Sequence, residues 1–149
     1  MLIDEADPAT MDPVEFSRVV KRTSTDDLRR VLTGDRRNTI LDELVRRMPD
    51  VFRPDRATGI SAVVHWRVGG RADGGVDTYE VTIDGGVCTT THRPEREPRL
   101  VLTIGGVDFL RVITGNASPV ALLMRGKLKS KGDLSLTAKF PNLFEPPRA

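Results

Sequence analysis

A single cysteine, Cys88, in 149 residues leaves nothing for an internal disulfide framework. No apolar run approaches the ~18 residues of a membrane span, and the N-terminus has no basic-then-apolar leader. A reducing, cytoplasmic setting is therefore the expectation. Aromatic residues make up only 5% of the chain, too few for the stacked platform that grips single-stranded nucleic acid. Nor is one sign of charge in command: 23 basic residues are interleaved with 21 acidic ones, a solvated surface rather than a nucleic-acid stripe. Two histidines and one cysteine, scattered, make a poor zinc set. No metal, cofactor or nucleic acid is expected, and no internal repeat divides the chain.

What is present reads as one α+β domain, with helices first and strands after. Residues 1–11 are acidic and aperiodic and predict a mobile tail, leaving residues 12–149 as a single domain with a helical part over 12–50 and a core over 56–145. Asp12 before Pro13 is a helix start, and Val14, Phe16, Val19 and Val20 give that helix an apolar face. Ser24 opens a second helix that Gly34 stops. Ile40, Leu41, Leu44, Val45 and Met48 mark a third, ended by Pro49.

From Ile60 the period changes to two. Ile60, Ala62, Val64, Trp66 and Val68 share one face, as do Tyr79, Val81 and Ile83, and then Leu100, Leu102 and Ile104. A further strand falls at "VCTTTHR", and the short connections predict an antiparallel meander. Two short helices follow, "GGVDFLRVITG" and "SPVALLMRG", apolar around nearly their whole circumference. Such helices must meet apolar material on two sides.

Catalytic constellations are weak. Cys88 and His92, four apart on a strand, stand about 13 Å from each other and cannot share a proton. The glycine pairs lack the spacing of a phosphate loop. Asp108, early in an apolar helix, is a conceivable buried base, though such acids more often complement the helix dipole. Tyr79 is the other conceivable acid–base group.

The last long pattern is "RGKLKSKGDLSLTAKF", residues 125–140. Odd positions from Lys127 are polar and even ones mostly apolar, which predicts a long strand with one dry face. Ser130 and Gly132 sit in the middle of that face and leave room for something other than core. Preceded by "RLVLTIGGVDFLRVITG", the run "GNASPVALLMRGKLKSKGDLSLTAKFPNLF" resembles the sterol carrier protein type 2 (sterol-transfer) family over residues 60–144. The segment "LDELVRRMPDVFRP" is also similar to free-standing bacterial, actinobacterial-like members.

The resemblance implies a five-stranded, mostly antiparallel sheet covered on one face by helices, with an apolar tunnel between them for a sterol, fatty acid or fatty acyl-CoA. It implies carriage without catalysis, by a chain with no attached enzyme and no peroxisomal ending. Trp66, Phe109, Ile113, Leu122, Leu123, Met124, Leu128, Ser130, Gly132, Leu134, Leu136, Phe140 and Phe144 are the ligand-binding residues it suggests. On pattern alone the same residues also fit a filled core. A tunnel of about 300 Å³ left empty would cost roughly 7 kcal/mol, large against a total stability of ~5–15 kcal/mol. Arg125, Lys127, Lys129 and Lys131 would attract an acyl-CoA phosphate or an anionic membrane surface, or simply protect a sheet edge. No firm protein partner is read. The alternatives are an enzyme or accessory subunit using Asp108, and an interaction module with an apolar groove.

Overall fold

The structure is a computed structural model that describes residues 2–147. Asp12 caps α1 (Pro13–Arg22) by accepting from the amides of Val14 and Glu15, with Pro13 in the first turn as expected. Ser24 caps α2 (Thr25–Leu32) through the amide of Asp27. Helix α3 (Arg37–Arg46) has no side-chain cap. Its first residue, Arg37, is buried instead, donating to Asp77 at 2.9 Å and to the carbonyls of Leu32, Val68 and Gly69. This one guanidinium ties the helical layer to the ends of two strands. Short 3₁₀ turns at Met48–Val51 and Pro54–Arg56 lead into the sheet.

Strands β1 (Ala62–Val68), β2 (Asp77–Asp84), β3 (Val87–Thr91), β4 (Leu100–Ile104) and β5 (Leu128–Gly132) form one sheet in the order β3-β2-β1-β4-β5. The meander holds for β1 to β3. It fails at β4, which lies beside β1 and parallel to it. Residues 92–99 make that crossing over the outer face, where Glu80 accepts from the amides of Glu95 and Arg96. Eight extended residues reach about 26 Å, ample for a three-strand step of roughly 14 Å, so a short connection did not require neighbouring strands.

The inner face is the one the alternation marks: Val64, Trp66, Val68, Tyr79, Val81, Ile83, Leu100, Leu102 and Ile104 are all buried. Helix α4 (Gly106–Ile113) is wedged between this face and α1, α2 and α3. That satisfies its all-round apolar surface. Helix α5 (Pro119–Met124) does not follow suit, because only Leu122 is buried.

Two further expectations are corrected. The segment taken as a mobile tail is packed: Ile3 and Ala6 are buried, and Arg36 donates to the carbonyls of Ile3, Asp4 and Ala6. A hydrophobic period cannot reveal a segment held by an arginine on its backbone. The long final strand ends at Gly132. Asp133 then accepts from the amide of Leu136 and caps α6 (Leu134–Lys139), which runs into a 3₁₀ turn at Phe140–Leu143. Leu136 and Phe140, four apart, share a face under either period, so the alternation ran through the cap unnoticed.

Candidate functional site: the inner face and its C-terminal cover

At the centre of the inner face, Trp66 stands between Tyr79 on β2 and Leu102 on β4. Its ring centroid lies 5.2 Å from Phe109 of α4 and 6.1 Å from Phe140. Phe140 in turn packs on Phe144 at 5.3 Å, and Phe144 on Phe52 at 5.6 Å. The chain after α6 is strapped back by Arg53, whose amide donates to the carbonyl of Leu143, and by Glu145, whose amide donates to Val51. Leu136, Phe140 and Leu143 thus form the dry underside of a short cover lying on the sheet.

The suggested ligand-binding residues divide on this geometry. Trp66, Phe109, Leu122, Leu128, Leu136 and Phe140 are buried in one apolar layer, with Ile113 and Phe144 half-buried at its margin. Leu134 and Met124 are on the outside at 80% and 83% exposure, and Leu123 is exposed too. Leu134 fell on the wrong side because it begins a helix instead of continuing a strand. Ser130 does not leave open space, since its hydroxyl is hydrogen-bonded to Thr137 of α6 at 2.7 Å.

Gly132 is small for a reason of backbone, not of ligand. At φ +119° it lies where a Cβ would come within 2.4 Å of the carbonyl oxygen of Arg99. Its role is to let β5 close on β4 and turn into the Asp133 cap. Leu143, buried, belongs with the cover: the sequence offers it with Phe140 and Phe144 as a closing flap, although it is not among the suggested ligand-binding residues.

Residues 41–145 match the SCP-2 sterol transfer family. The chain belongs to that family. It is 25% identical over 142 residues to human hydroxysteroid dehydrogenase-like protein 2, covering 95% of this chain and 33% of that protein. The chain thus spans about a third of the length of this relative. Among solved structures, palmitated SCP2L2 from Aedes aegypti superposes with a TM-score of 0.57 at 20% identity, covering 75% of this chain and 96% of that one. Sterol carrier protein 2 from Yarrowia lipolytica, in its apo form, gives 0.55 at 17% identity, over 76% and 94% of the two chains. Sheet and helices therefore follow the SCP-2 fold, and no helix among the described residues is long and apolar enough to cross a membrane.

In this SCP-2 chain, among the described residues, two of the cavities open away from the layer that Trp66 and Phe140 share. One, of about 320 Å³, is a polar cleft beside α3 lined by Asp42, Glu43, Arg46, Tyr79, Thr90 and His92, among others. The other, of about 100 Å³, is an apolar crevice where Ile113 meets Phe16, Leu44 and Met48. Of the acid–base candidates, Tyr79 and His92 line the first cavity, whereas Cys88 and Asp108 line neither. The Tyr79 hydroxyl donates to Asp42 at 2.7 Å, and burial together with that carboxylate pushes its pKa well above the usual phenol range. Cys88 is buried, which lifts its thiol to about 12 and keeps it protonated. His65 reaches Glu80 at 3.1 Å on the outer face, away from the apolar layer. Asp108 is half-buried in the first turn of α4, where a carboxylate complements the helix dipole.

Proposed function

We propose that this chain binds a hydrophobic ligand between the inner face of its sheet and its C-terminal cover, and carries it chemically unchanged. The observation that carries this reading is the construction of the cover. The β5 side of a mostly apolar sheet face is closed by two helices of six residues each and a 3₁₀ turn of four. Helices that short have little stability of their own, so lifting them exposes the ligand layer without unfolding the sheet. Family membership supports a sterol or a fatty acyl chain as cargo, and the palmitated state of the mosquito relative favours the acyl chain. Trp66, Phe109, Leu128, Leu136 and Phe140 are the contacts we assign to it. A carrier is favoured over an enzyme because Tyr79 is committed to Asp42 and Asp108 lies at a helix start. A cytoplasmic setting completes the reading.

Delivery would take place at an anionic lipid surface. Residues 109–144 contain six basic residues against one acid, although the whole chain carries only +2. Arg125, Lys127, Lys129 and Lys131 are exposed and take part in no ion pair among the described residues. Just before them in the chain, Val120 and Met124, four apart on α5, present apolar side chains at 54% and 83% exposure. The test is transfer of a fluorescent palmitate analogue between vesicles. The expected result is faster transfer to vesicles containing phosphatidylserine, suppressed by salt, with the analogue recovered intact. Absence of acceleration, or a chemically altered analogue, would contradict the reading.

A further inference from the structure

The buried polar groups of this core are satisfied with one exception. Ser17 donates to the carbonyl of Thr114 at 2.6 Å, Thr114 to that of Leu110 at 2.7 Å, and Tyr79 to Asp42. Arg37 uses its guanidinium on a carboxylate and three carbonyls. Among the described residues, the one buried side-chain polar atom without a partner is Nε1 of Trp66. The residue is 4% exposed and sits on the central strand of the sheet.

Indole is a donor and nothing else, so only an acceptor can satisfy it. A phenylalanine would add another ring to this aromatic cluster without burying an idle N–H group. The donor's position gives it a use. Trp66 lies with Phe109 on one side and the cover residue Phe140 on another, in the layer assigned above to the cargo.

We propose that the Trp66 indole N–H is the polar anchor of the ligand site, and that it selects lipids whose buried end carries a neutral oxygen acceptor: an alcohol, a ketone or an ester. The inference rests on the carrier reading and adds to it the chemistry of the buried end. A carboxylate is disfavoured at this depth. It would exchange full hydration for one donor among apolar rings, and the nearby Tyr79 hydroxyl is already engaged. A saturated hydrocarbon end would fill the space and leave the N–H idle.

Trp66 is the only tryptophan, so ¹⁵N-labelled, delipidated protein gives a single indole N–H resonance. The probes are 2-octadecanone and octadecane, matched in carbon count, each delivered from cyclodextrin. The ketone should move the indole proton downfield and bind about 2- to 10-fold more tightly than the alkane. The alkane should bind without that downfield movement. In Trp66→Phe the preference should fall below about twofold. Binding of both probes with the same indole response, or an undiminished ketone preference in Trp66→Phe, overturns the assignment while leaving carriage intact. Binding of neither overturns the carrier reading and the anchor with it. The wild-type resonance decides the matter even where the variant folds poorly.

Discussion

Phe140→Ala separates a cover from an ordinary core. The Phe140 ring is 1% exposed and packs on Trp66 and Phe144. In a rigid core its removal costs about 3–5 kcal/mol. For a chain of this size that is a fall in Tm of roughly 6–20 °C. In this account the ring also occupies space that the lipid must enter, so wild-type binding includes the cost of displacing it. A lipid at 100 times its Kd stabilises by about 2.7 kcal/mol, and each tenfold gain in affinity adds about 1.4 kcal/mol. The variant should therefore melt well below wild type alone, and gain more Tm than wild type when palmitate is added. The assay is differential scanning fluorimetry of delipidated protein across a palmitate series. An equal gain in both proteins, or none in the variant, would refute the reasoning.

Gly132→Ala should destabilise by at least about 1–3 kcal/mol, because the new Cβ must sit at φ +119° against the Arg99 carbonyl; urea unfolding measures it, and an unchanged midpoint would contradict it. Burial acts to raise the Glu80 pKa, but the amides of Arg96 and Glu95 together with His65 outweigh it and hold the carboxyl below its ordinary 4.5. Its contribution is thus fully present above about pH 4.5 and is lost as pH falls through the depressed folded value. Glu80→Gln should accordingly lose less stability between pH 6 and pH 3 than wild type, and an identical acid profile would count against this. Cys88, buried with its thiol lifted to about 12, should react with a thiol reagent at pH 8 only as fast as the protein opens; rapid labelling of the native protein would contradict that placement.

The strands were legible because a half-buried sheet writes its own period. Every residue from Val64 to Ile104 placed inward by alternation on β1, β2 and β4 is buried. The caps of α1 and α2 were legible for a similar reason, since Asp12 and Ser24 are local chemistry. What escaped was set by long-range contact. The parallel pairing of β1 with β4 depends on where an eight-residue loop lands, and loop length alone does not fix it. The packing of residues 2–11 depends on Arg36 finding backbone carbonyls more than 30 positions away in sequence.

For the site, six of the residues the resemblance suggests are buried together in one apolar layer, and period two mis-sided others. Leu136 and Phe140 fit both periods and came out buried, whereas Leu134 fits only the strand and came out exposed. Met124 and Leu123 belong to a helix that reads as apolar all round, but only its Leu122 side meets the layer and the other apolar side faces outward. The unpartnered indole of Trp66 could not be read from sequence, because whether a buried donor is satisfied depends on every element that surrounds it.

The most direct test of carriage beneath the cover is native mass spectrometry of the protein as purified, followed by denaturing extraction of whatever is released. The expected result is a one-to-one apolar adduct, or uptake of one palmitate per chain by delipidated protein, displaced by a second lipid in excess. A bare chain that takes up neither fatty acids nor sterols would contradict it and make the layer around Trp66 and Phe140 an ordinary core.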